Sequence, residues 1–103
     1  MAAGISTLLK TAGRTPDQVK ELAIAGGFGS YLDVNCAGRI GLIPPELAPR
    51  VHVLGNAALH GAAMLLLDQS LIAPCEAYTL HAKTVDLTAS AAFLQAYTDG
   101  MFF

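Results

Sequence analysis

A small α/β fold, with a parallel or mixed sheet flanked by helices, is what this sequence predicts. Two short apolar segments, Glu21–Ala25 and Arg50–Leu54, each run into a glycine turn, Gly26-Gly27 and Gly55-Asn56. The stretches around them carry apolar residues at helical spacing. Strands separated by helices imply parallel pairing through right-handed crossovers.

The elements follow in order. Residues 2–13 place Ile5, Leu8 and Leu9 on one helical face and stop at Ala12-Gly13, where glycine closes a helix. Thr15-Pro16-Asp17-Gln18 predicts a short turn, with Thr15 capping and Pro16 in first position. Glu21–Ala25 is compact and apolar, the signature of a buried strand. Leu32–Ile40 reads as a helix with Asp33 near its N-terminus, where the dipole favours a carboxylate. Gly41 ends it, and Leu42-Ile-Pro-Pro45 cannot continue it. Arg50–Leu54 alternates and is β-branched, hence a second strand. Ala57–Asp68 is an Ala/Leu-rich helix with Ala58, Gly61, Ala62 and Leu65 on one face. Ser70–Ala82 is helical, with Pro74 early enough to be tolerated. Lys83–Leu87 alternates and is expected as a third strand. Thr88 or Ser90 then caps a last helix holding Phe93, Leu94 and Tyr97, before the apolar ending Met101-Phe-Phe103.

Composition bounds the function. The 103 residues allow one modest domain, 53% hydrophobic and only 14% charged. That is little charge for the surface of a free-standing domain, so apolar surface is expected to be covered by a second copy (a possible homodimer) or by the rest of a longer polypeptide. The net charge of −2, with no basic cluster, argues against nucleic acid as a partner. The longest apolar run, Ala62–Leu67, is too short to cross a bilayer, so no membrane is expected. Met1-Ala-Ala lacks a charged signal-peptide start. Cys36 and Cys75 have neither metal spacing nor a secreted framework. A cytoplasmic location is the default expectation.

The chemistry concentrates in Leu22-Ala-Ile-Ala-Gly-Gly-Phe-Gly-Ser-Tyr-Leu32. A strand entering Gly26-Gly27-x-Gly29-Ser30 and then a helix offers bare backbone to a ligand, and free helix N–H groups suit phosphate or ribose oxygens. Ligands of open α/β sheets gather beyond the carboxyl ends of strands, where Gly55-Asn56 also falls. Against this stands the plain reading that each glycine only supports a tight turn, and periodicity leaves the two about even. Neither Gly-x-Gly-x-x-Gly nor Gly-x-x-x-x-Gly-Lys occurs.

Ala25-Gly-Gly-Phe-Gly-Ser-Tyr-Leu-Asp33, Ala37-x-x-Ile-Gly-Leu-Ile-Pro44, Val53-Leu-Gly-Asn-Ala-Ala-Leu-x-Gly-Ala62 and the closing Asp99-Gly-Met-Phe-Phe103 resemble, in order and spacing, the C-terminal end of the reductive activators of corrinoid proteins. These belong to the actin, heat-shock chaperone and sugar-kinase superfamily of ATPases. The resemblance covers nearly the whole chain and implies a fragment of an actin/heat-shock-chaperone-like (ribonuclease H-like) ATPase lobe. It implies that residues 1–103 are a single C-terminal subdomain of a longer protein whose upstream part carries the Mg²⁺-positioning carboxylates and a [2Fe–2S] domain. Gly26, Gly27, Gly29 and Ser30 would lie by the adenosine or α-phosphate, with Gly55 and Asn56 a second contact. The implied parent uses ATP and Mg²⁺ to drive reduction of Co(II) corrinoid to Co(I) on a corrinoid protein partner; this piece alone would bind ATP weakly and catalyse nothing. A non-enzymatic dimerisation or docking module of a larger iron–sulfur protein is the alternative.

Other residues are read as structural. His52, His60 and His81 are scattered without carboxylate or cysteine companions, which disfavours a metal site. Cys36 and Cys75 are expected as small buried residues rather than nucleophiles. Asp33 and Glu46 are not expected to act as an acid/base pair, and Arg39 reads as a solvated helix charge. Phe28 is expected to anchor its loop in the core rather than to stack on a base.

Overall fold

The computed structural model describes residues 1–102; Phe103, the last of the apolar ending, lies outside them. Helix α1 spans Ala2–Thr11, strand β1 Leu22–Ala25, α2 Val34–Arg39, β2 Val51–Gly55, α3 Ala57–Leu67, α4 Ile72–His81 and α5 Ala91–Asp99. Short 3-10 turns occupy Pro16–Gln18, Gly29–Tyr31, Pro45–Arg50 and Gln69–Leu71. The fold is α/β and rich in helix, with a two-stranded parallel sheet, β1 beside β2.

Local chemistry sets the element ends. α1 stops where the Gly13 N–H donates to Lys10 O and the Arg14 N–H to Leu9 O, the paired bonds that satisfy a helix end. α2 stops the same way, through Gly41 to Gly38 and Leu42 to Ala37. Three helices begin on side-chain caps: Asp33 accepts from the Cys36 N–H at 2.9 Å, Asn56 from Leu59 at 3.1 Å and Ser90 from Phe93 at 3.2 Å. Gln18 closes the first turn by accepting the Thr15 N–H at 3.1 Å.

The core is small. Ile24 of β1, Ala37 of α2 and Ile43 are buried together, with Leu22, Leu32, Leu42 and Val51 half-buried around them. Leu47 is fully buried. Arg50 ties the first turn to β2: its Nη1 donates to the carbonyl oxygens of Pro16 at 2.9 Å and Val19 at 2.7 Å, with a longer contact to Asp17. α5 packs along α1.

Four expectations are corrected. Lys83–Leu87 forms no strand. Its alternation places Val85 and Leu87 half-buried, and Leu87 lies over Gly4 of α1, so the segment buries its apolar side on a helix without joining a ladder. The expected helix 32–40 is split: a 3-10 turn at Gly29–Tyr31 precedes it, and α2 begins only at Val34, after the Asp33 cap. Cys36 and Cys75 are both exposed thiols, not buried ones. Phe28 is 74% exposed and does not enter the core; Ile24, behind the loop, already fills that space against Gly29. No single helix among the described residues is long and apolar enough to cross a membrane; α3 and the Gln69–His81 stretch are bent by 115°.

Candidate functional site

The two glycine turns are neighbours because the strands that lead into them pair in register. Leu22 lies opposite Val51, Ala23 opposite His52 and Ile24 opposite Val53; the register then slips, and Ala25 meets Gly55. Leu54 is the extra residue of this bulge, which advances the second turn to the first. The Gly26 N–H then donates to Gly55 O at 2.7 Å, fastening one corner to the other.

Each corner has a backbone requirement. Gly26 has φ +101° and Gly55 φ +63°, conformations that cost an L-residue about 1–2 kcal/mol. Around Gly26 and Gly27 a Cβ would meet nothing within 4 Å, so this backbone faces open space. Among the described residues, the N–H groups of Gly27, Phe28 and Gly29 take no acceptor, whereas the next three N–H groups close the 3-10 turn onto Gly27, Phe28 and Gly29. Two of these unpaired donors, on Gly27 and Phe28, belong to exposed residues of a bare corner and match the oxygens of a phosphate or ribose, whereas Gly29 is buried. A long helix dipole is not part of this match, since only a three-residue turn follows.

The remaining sequence-predicted residues divide. Ser30 belongs to the cluster: its Oγ is 3.8 Å from where a Gly55 side chain would begin. Asn56 is adjacent, and its Oδ1 is engaged in capping α3. Gly29 points the other way. A Cβ there would stand 2.6 Å from Ile24 Cγ2, so its lack of a side chain serves the packing of the turn on β1.

The sequence profile of the C-terminal domain of RACo, the ASKHA domain, matches residues 1–103. The chain belongs to this family. A curated relative, the corrinoid activation enzyme RamQ of Eubacterium limosum, is 32% identical over 94 residues, which make up 91% of this chain and 16% of the relative. The chain therefore spans about a sixth of the length of that relative. No solved structure matches.

Beside its glycine corners, this RACo-type domain carries a feature the sequence reading missed. Phe28 and Tyr31, the latter 93% exposed, flank a shallow depression of about 240 Å³ completed by Leu32, Asp33, Cys36, Ala37, Ile40 and Leu42. The signal was the placement of Phe28 between two glycines, whose bare backbone gives an aromatic ring nothing to lean on. At its rim the Cys36 N–H holds the Asp33 carboxyl below its usual value, and the Asp33 carboxylate in turn raises the Cys36 thiol. A raised thiol pKa leaves less thiolate, which opposes nucleophilic use of Cys36.

Metal chemistry finds no support in the donor set. Among the described residues no group of three or more His, Cys, Asp or Glu side chains could hold an ion. Neither Mg²⁺ nor an iron–sulfur cluster fits the described residues, and no chemical step is routed through either. His52 and His60 are exposed, and the His81 ring lies 2.7 Å from the carbonyl of Ala77 at the end of α4.

Proposed function

We propose that this domain is the nucleotide-side C-terminal portion of an ATP-dependent reductive activator of corrinoid proteins. The observation that carries the reading is the open backbone at Gly26-Gly27, with the unpaired N–H groups of the exposed Gly27 and Phe28, clasped to the Gly55 corner. The family membership and the relative described as a corrinoid activation enzyme supply the reaction class. In this reading the glycine corners seat the adenosine and α-phosphate of ATP. The Gly27 and Phe28 N–H groups donate to ligand oxygens, Gly29 supports the turn from behind, and Ser30 Oγ adds a hydroxyl. The Mg²⁺-binding carboxylates, the iron–sulfur electron donor and the surface that engages the corrinoid protein belong to the rest of the polypeptide. The reduction of Co(II) corrinoid to Co(I) is driven there.

The chain alone grips a nucleotide on one face, so most of the ligand stays in water and affinity is low. Titrating the isotope-labelled chain with ATP should move the amide resonances of Gly26, Gly27, Gly29, Ser30, Gly55 and Asn56 at millimolar ligand. Gly27→Asp should abolish these shifts while leaving the spectrum of the core intact. Gly27 has neither a positive φ nor a neighbour within 4 Å, so the fold accepts a side chain while its carboxylate repels phosphates. Shifts confined to another surface, or an unchanged response in Gly27→Asp, would refute the assignment.

A further inference from the structure

The second glycine corner differs from the first in what its groups already do. Gly55 O is taken, accepting the Gly26 N–H at 2.7 Å. Asn56 commits its Oδ1 to the Leu59 N–H at 3.1 Å and its carbonyl to the His60 N–H at 3.1 Å. Gly55 is half-buried, whereas Gly26, Gly27 and Phe28 are exposed. A Cβ at Gly55 would face Ser30 Oγ at 3.8 Å, so this corner looks onto the other turn rather than onto open space.

Its backbone is equally committed. The chain leaves β2 at Gly55 with φ +63°, in the left-handed region that β-branched residues avoid. Rotation about N–Cα carries the carbonyl with it, so this dihedral aims the oxygen that Gly26 binds. One peptide separates that bond from the first unpaired donor, the Gly27 N–H. Three of the four residues Gly26–Gly29 are glycine, the residue that loses most freedom on being fixed. Without the clasp, the ligand itself would have to order these donors, at a cost to its affinity.

We propose that Gly55 is a positioning residue for the nucleotide, acting through its carbonyl rather than by direct contact. That carbonyl holds the Gly26 peptide, so the Gly27 and Phe28 N–H groups are in place before the ligand arrives. The inference rests on the reading of the Gly26-Gly27 corner as a nucleotide seat.

A set of substitutions separates this role from mere stability. Gly55→Asn keeps the dihedral, since Asn tolerates the left-handed region and a Cβ there makes only ordinary contact. Gly55→Val opposes it. Gly13→Val is the control: Gly13 has the same φ of +63° at the end of α1, with nothing within 4 Å of a Cβ, so it is strained alike outside the clasp. Gly55→Ala and Gly13→Ala repeat the comparison at lower strain, should valine unfold the chain. In the isotope-labelled chain, the scalar coupling from Gly26 N–H to the Gly55 carbonyl carbon reports the clasp without ligand. ATP titration then reads the Gly27 and Phe28 amides. Gly55→Val should lose the coupling and weaken ATP by about fivefold, the worth of one net hydrogen bond. Gly55→Asn and Gly13→Val should keep both, although Gly13→Val unfolds as early in denaturant as Gly55→Val. Equal ATP affinity in Gly55→Val and Gly13→Val, with the coupling lost only in the former, would overturn the positioning role. So would Gly55→Asn that keeps the coupling yet weakens ATP, the mark of direct contact. No ATP response at Gly27 and Phe28 in the unaltered chain, with the coupling present, would instead sink the nucleotide seat and this role with it.

Discussion

Gly29 shows how one missing methyl group decides the packing of a corner only four residues long. It lets the turn press onto Ile24, where a Cβ would intrude to 2.6 Å of Cγ2. Ile24 is β-branched and buried, so it cannot swing aside at low cost. Gly29→Ala should therefore destabilise the chain by about 1–3 kcal/mol, the usual range for overpacking. Gly27→Ala, two residues away, should be nearly neutral, since nothing stands within 4 Å. Denaturant unfolding of the pair checks this: equal midpoints would mean that the turn does not press on β1 as described. The sequence announced the glycines but not this division of labour among them. Spacing tells that a corner is bare; only the packing distance tells which glycine faces open space and which faces the core.

At the scale of elements, polar side chains at the ends of helices and turns do much of the specifying. Three aspartates sit in such roles, and each is held below the ordinary carboxylate value of 3.8: Asp33 by the Cys36 N–H, Asp68 by the Ser70 hydroxyl and Asp86 by the Thr88 hydroxyl. A carboxylate whose folded pKa is depressed contributes stability above its unfolded value and loses it as pH falls through the folded one. Stability should hold down to about pH 5 and then decline through pH 4 and below. The triple variant with Asn at 33, 68 and 86 should flatten that decline, because Asn caps without titrating. Thermal melts from pH 6 to pH 3 read the difference; parallel curves would show that other carboxylates dominate. Because all three groups are exposed, the effect is small and shrinks with salt. Most elements were legible from the same local rules: α1, β1, β2, α3 and α5 lie close to where periodicity, caps and glycine stops place them. Lys83–Leu87 was misread because alternation reports a half-buried segment, not the partner that half-buries it. The long helix expected after Gly29 broke because Leu32 and Asp33 take extended backbone, with ψ 119° and 105°. That Asp33 stands near the start of the helix was visible in sequence; that it caps and opens the helix rather than sits within it was not.

Across the whole molecule, order is unevenly spread. The Cα radius of gyration is 15.8 Å, against about 13 Å for a compact chain of this length. The buried residues come from α1 to the Pro45–Arg50 turn, whereas α3, α4 and α5 bury none fully. Native-state hydrogen exchange should therefore protect the amides of β1 and β2 by more than those of α4, which packs mainly on the short Gln69–Leu71 turn. Protection of α4 equal to that of the strands would contradict the uneven distribution. The candidate site follows the same logic: its residues were legible as motifs, but their convergence depended on a strand register and a one-residue slip at Leu54, neither of which leaves a local trace.

The absence of ions along α3, which has no formal charge between residues 57 and 67, carries one last implication. Contacts made by methyl groups alone have no Debye screening to lose, so brine and dilute buffer should leave them alike. Chilling is different, because water's reluctance to solvate hydrocarbon fades in the cold. Whatever lies on that helix is held by warmth, and an ice bath will loosen it where salt does nothing.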